Sequence, residues 1–209
     1  MRTLTDKMSL DNHWAELVYT RAKLAADPLT TDLAPQAAAL IERLMPLRAE
    51  QLATWEAEVV AQAEVDTAEE ALSALVLDFA HFLEYHLRDT QSPRWRHYFT
   101  ELPSALRRLT LEPALTATAT WAGALSAEPE PELQAFAPRV RAVHAQGATA
   151  LEHQRQANLA RATHRLQQIL SFVATHNATR RTLYAALLTR ANAHNLPKAW
   201  PDRFFRRGA

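Results

Sequence analysis

The chain has no cysteine. That excludes disulfides, thiolate metal centres and cysteine nucleophiles, and it suits a reducing compartment. Glycine is nearly as scarce, with three in 209 residues. So few leave no room for a phosphate-cradling loop or a G-x-S-x-G elbow, and they disfavour the tight turns of β proteins. Lysine too is rare, at Lys7, Lys23 and Lys198 against twenty arginines. No stretch approaches the ~20 uninterrupted apolar residues of a membrane span. The amino terminus, MRTLTDKMSLDNHW, lacks the apolar core of a signal peptide. A cytoplasmic protein without a membrane partner is expected.

Helical metal spacings are missing as well. Nine histidines form no Glu-x-x-His, His-x-x-x-His or His-Glu-x-x-His, the arrangements that put ligands on one helical face. No cofactor and no metal are expected, and no nucleophile-plus-base arrangement stands out.

What is present is Ala, Leu, Arg and Glu, which favour helices. The fold class is all-α: a helical bundle of about six to seven helices, two of them long, in a single domain over residues 1–209. The most apolar segment is Leu72–Arg88. Placed on a helix, Leu72, Leu75, Val76, Phe79, Ala80, Phe82, Leu83 and Leu87 share an arc roughly 160° wide, the mark of a core helix.

A first helix is expected from about Asp11 to Ala26, stopped by Asp27-Pro28. Asp32 caps a second, long one whose run of Leu40, Leu44, Leu52, Trp55 and Val59 should kink at Pro46. Thr67 and Glu70 form a capping-box pattern that starts the core helix. Ser92-Pro93 opens a short helix, and Glu112 to Ser126 is helical if Leu115, Trp121 and Leu125 pack. Residues 127–132, AEPEPE, read as an extended linker. The longest helix follows, with Leu133, Phe136, Val140, Leu159, Leu166, Ile169 and Val173 inward. It bends at Pro138 or loosens at Gly147 and ends near His176. Asn177 caps a last helix, closed by Asn195-Leu196-Pro197.

The order short, long, medium occurs twice, roughly 103–111 residues apart. Trp14-Ala15 and Leu33-Ala-Pro35 recur as Trp121-Ala122 and Phe136-Ala-Pro138. A diverged duplication with a pseudo-two-fold arrangement would explain it, with halves 1–110 and 111–209.

The net charge is zero, but it is unevenly placed. Residues 1–138 hold 11 Lys+Arg and 21 Asp+Glu, whereas residues 139–209 hold 12 and two. An acidic region is thus followed by a basic one, with balances of −10 and +10.

Three sets of residues are candidates for function. Arg161, His164, Arg165, Arg180 and Arg181 could line a polyanion or partner surface, with a tail of Trp200, Arg203, Phe204, Phe205 and Arg206 (and Arg207 beyond) offering stacking faces. The simpler reading of that tail is aromatics folded back onto the core. Asp78, His81 and Tyr85 place a carboxylate, an imidazole and a phenol on adjacent turns, where a solvated rim is the simpler reading. His86 interrupts the apolar arc. Buried without a partner it would cost on the order of 1–3 kcal/mol, so it is either a satisfied core histidine or a ligand-site residue.

The reading that covers these features is a non-enzymatic interaction or structural protein. It would bind a protein partner or self-associate, steered by its segregated charge. The alternatives are nucleic-acid or other polyanion binding through residues 139–209, and an enzyme or small-ligand bundle with its site near His86.

Overall fold

A computed structural model describes residues 3–5 and 7–206. Among these the regular structure is entirely helical, with no strand. No helix among the described residues is long and apolar enough to cross a membrane. Five helices reach seven residues: α1 (Leu10–Ala26), α2 (Ala34–Leu87), α5 (Leu111–Ala117), α8 (Phe136–Thr163) and α9 (Leu170–Ala193). Four are shorter: α3 (Pro93–Tyr98), α4 (Pro103–Leu106), α6 (Trp121–Ser126) and α7 (Pro131–Gln134).

Counting the five longer helices, the number falls short of six to seven because helices expected to be separate are joined. α2 is 54 residues long and runs through both Pro46 and Thr67. Thr67 does not cap: its Oγ1 donates back to the Ala63 carbonyl at 2.8 Å, as a mid-helix threonine does. The residues around it are good helix formers, and Ala61, Val65, Ala68 and Leu72 carry buried positions through at 4-3-4 spacing. Asn177 does not cap either. It lies inside α9, and its side-chain amide bonds Leu4 twice, accepting from N–H and donating to C=O, each at 2.9 Å. α8 and α9 are joined by a π-helical segment, His164–Ile169, which neither a bend at Pro138 nor a loosening at Gly147 anticipated.

The chain divides into two compact units, one of Met1–Trp55 with Ala160–Ala209 and one of Glu56–Leu159. In the first, Ser9 caps α1, accepting from Asn12 N–H at 3.3 Å. Two apolar clusters form its core. One holds Leu10, Leu17, Leu40, Leu44, Ile169, Phe172 and Val173. The other packs Leu24, Leu33, Leu183, Leu187 and Ala191 against Trp200, Phe204 and Phe205, so the aromatic tail is folded into the core. α9 stops where Asn195 turns left-handed at φ 54°, with Leu196 N–H reaching the Ala191 carbonyl at 2.8 Å.

In the second unit the expected core arc is the observed one. Leu72, Leu75, Val76, Phe79, Ala80 and Leu83 are buried. Phe79 sits at the centre, its ring 5.0–5.7 Å from those of Tyr98, Phe99, Trp121 and Phe136. α2 and α8 run antiparallel, since Asp78 meets Arg139 (2.8 Å) while Glu64 meets His153 (2.7 Å). Gly147 lies where α8 meets α5: a Cβ there would come within 2.9 Å of the end of the Leu115 side chain, which would have to shift.

The segment 127–132 is not a free linker. Arg94 bridges Glu128 and Glu130, and Tyr98 Oη donates to Glu128 at 2.6 Å. The Arg94 guanidinium holds the Glu130 carboxyl down to about 2. Burial pushes the Tyr98 phenol upward, and its carboxylate partner adds to that.

Candidate functional site

In the first unit, α1 presents His13, Glu16 and Thr20 on the same side as Leu10, Leu17 and Leu24, and all six are buried. α9 answers with Phe172, His176 and Arg180, also buried. The imidazoles meet through Nδ1 atoms 3.1 Å apart, so one must carry the proton and the other accept it. Arg180 forms an ion pair with Glu16. Burial, with the neighbouring His13, drives His176 down to about 3. His13 is lowered too, by burial first and by the Arg180 charge, against a backbone hydrogen bond at Thr5 that raises it. Both imidazoles are therefore neutral near pH 7. Thr20 Oγ1 is buried without a hydrogen-bond partner. No group of three His, Asp or Glu side chains able to hold a metal occurs among the described residues.

Several exposed apolar side chains gather on the surface of this unit. A depression of about 580 Å³ is walled by Asp11, Met45, Arg48, Leu52, Trp55 and Arg161. Met45, Leu52 and Trp55 are 49%, 60% and 53% exposed, in a protein that buries far smaller side chains. Arg48 is fixed beside it, paired with Asp11 at 2.5 Å and lying 5.9 Å over the Trp14 ring. The π-helical segment begins three residues after Arg161, and such wide turns recur at functional sites. At its start His164 is buried, with Nδ1 3.4 Å from the Glu50 carboxylate.

The residues singled out from sequence are scattered rather than gathered. Arg161, Arg165, Arg181 and Arg206 are exposed, but His164 is buried and so breaks the expected row. Arg180 is committed to Glu16, and Trp200, Phe204 and Phe205 are core. Arg203 pairs with Asp27 at 2.8 Å and lies over the Trp200 and Phe204 rings. Asp78 pairs with Arg139, while His81 and Tyr85 are exposed.

The burial expected of His86 is corrected. It is exposed, stacked on Phe82 with ring centroids 6.0 Å apart, its Nε2 3.7 Å from Glu130. His86 falls off the buried side: Leu87 still packs half-buried on the aromatic core, while His86 faces the charged 127–132 segment. Leu159 and Leu166, expected inward, are 68% and 64% exposed. Buried positions on that run are instead 147, 150, 157, 164, 169, 172, 173, 176 and 180, with a step of five across the π segment.

The buried histidines His13 and His176 escaped the sequence reading. A signal existed: positions 10, 13, 17, 20 and 24 form an unbroken 3-4 repeat that passes through His13 and Thr20. Compared with known protein families, curated proteins and solved structures, the chain matches none.

Charge is paired within each unit. In the first, Glu16–Arg180, Asp27–Arg203 and Asp32–Arg190 join acids of the first 138 residues to bases of the last 71. In the second, Asp78–Arg139, Glu64–His153 and Glu112–Arg155 do the same.

Proposed function

We propose that this is a non-enzymatic helical-bundle interaction protein, which binds a protein partner or a copy of itself. The single observation carrying this is the exposed cluster of Met45, Leu52 and Trp55 around a depression edged by Arg48 and Arg161. Trp, Met and Arg are the side chains that anchor protein interfaces. Held in water, three such side chains offer the fold nothing, and contiguous apolar exposure marks a docking surface. The segregated acidic region 1–138 and basic region 139–209 serve this reading twice, by pairing internally and by leaving exposed charge of both signs to orient a partner.

Polyanion binding through residues 139–209 has less behind it, because Arg180, Arg190 and Arg203 already face carboxylates. Photocrosslinking tests the proposal. A benzophenone amino acid replacing Leu52 is expected to give a discrete adduct, with another protein or with the chain itself. The same probe replacing Arg181 should give none. Absence of any adduct from position 52 overturns it.

A further inference from the structure

The second unit carries its own unfilled surface. Where α2 and α8 run side by side, a groove of about 610 Å³ is lined by Val60, Ala63 and Thr67 on one helix and Ala145, Thr149 and Ala150 on the other. Glu64 and His153 bridge across it at 2.7 Å. The seam beneath is thin, because its buried side chains include Ala61, Ala68, Ala150 and Ala157. Outside the seam, Val59 and Val60 are 52% and 53% exposed and Leu159 is 68% exposed. A β-branched residue on a solvated helix face has poor propensity and nothing to pack on. The apolar material of this pair is therefore placed for a further layer of helices.

We infer that the missing layer is a second copy of the same two helices, stacked groove to groove with a two-fold axis parallel to them. The inference rests on the interaction reading above and names its partner and surface. Charge selects the symmetry. Over residues 56–70, α2 exposes Glu56, Glu64, Asp66 and Glu70 and has no Lys or Arg, while Glu69 is turned to the Leu111 N–H. Over residues 139–159, α8 exposes Arg139, Arg141 and His153 against one acid, Glu152, while His144 and Arg155 are bonded to Thr118 and Glu112.

An axis perpendicular to the helices would lay acidic α2 on acidic α2. An axis parallel to them lays each α2 on the other copy's α8, with every neighbour antiparallel and oppositely charged. That choice also fixes the level. Because residue 64 lies opposite 153, Ala63 and Thr67 of one copy overlie the stretch from Thr149 to His153 of the other. Side chains this small let two helix pairs approach at the near end of the usual 8–10 Å interaxial range.

Sedimentation velocity on the full chain tests this. A dimer is expected, weakened by salt, with Ala63→Arg and Thr149→Glu each loosening it by roughly tenfold or more. Both sites are on the rim of the groove, and unchanged far-ultraviolet circular dichroism will show that each variant folds. A chain that stays monomeric at about 100 µM in low salt overturns the second copy as occupant. The interaction reading then stands or falls on the crosslink at position 52 alone. A dimer indifferent to Ala63→Arg but broken by Leu52→Asp also overturns the groove, and it leaves that reading in place.

Discussion

The two units are stabilised by opposite means. The Glu56–Leu159 unit centres on Phe79, with four aromatic rings around it, and keeps its charged groups at the rim. The other unit buries three imidazoles, a carboxylate and a guanidinium. A ring cluster gains by area and packing and is nearly indifferent to pH. A buried polar layer gains little net energy and tolerates only matched partners. What it adds is selectivity: α1 and α9 have one alignment in which His13 meets His176 while Glu16 meets Arg180.

Mutations separate the two designs. Phe79→Ala should cost ~3–5 kcal/mol by opening a cavity between rings that cannot collapse, read by urea unfolding. Glu16→Ala should cost a similar ~3–5 kcal/mol for a different reason, the stranding of the Arg180 charge. The double change Glu16→Leu with Arg180→Met tells them apart. It removes both charges and should recover most of the loss or exceed wild type, whereas no partner change rescues Phe79→Ala. A double variant as unstable as Glu16→Ala would sink the idea that pairing, rather than the charge itself, is required.

Acid should sharpen the contrast further. The folded-state pKa of His176, about 3, lies below its ordinary 6.5, and that of His13 is lowered as well. The unfolded chain therefore binds protons first. Stability is intact above pH 6.5 and falls progressively toward pH 3. Hydrogen exchange at pH 4.5 should show peptides covering α1 and α9 deprotected while the Leu72–Leu83 stretch stays protected. Uniform loss across both regions would count against the buried pair as the acid-sensitive element.

The smallest effect is expected from Gly123→Ala. A Cβ at that position in α6 meets nothing within 4 Å, so helix propensity should add ~0.5–1 kcal/mol to the thermal or chemical stability.

Much of this was legible in the chain, and the failures have a common cause. The all-α class followed from scarce glycine, and the core arc of Leu72–Leu83 from its width. The docked tail was visible as the simpler reading of Trp200, Phe204 and Phe205. The errors arose where local chemistry was given priority over phase. Thr67 and Asn177 have cap side chains, but good helix formers surround Thr67, and Asn177 was recruited by the Leu4 backbone. Leu159 and Leu166 have core side chains, but alanine and histidine hold the inward positions. In the site region, His13 and Arg180 are residues that ordinarily face water. Each became interior because its partner lies more than 160 residues away, a pairing no local pattern contains.

The π-helical segment at His164–Ile169 gives the long run from α8 to α9 a place where length is negotiable. An ordinary α-helix turns about 100° per residue, so losing one residue from it swings everything downstream off its face. Here the wide turn already absorbs one residue more than the helix needs. Deleting Gln167 would leave a regular α-helix, with Phe172, His176 and Arg180 still aimed at α1. The same deletion a few turns away would send them into water. The segment is slack within the helical run, able to lose a residue while α9 keeps its buried face.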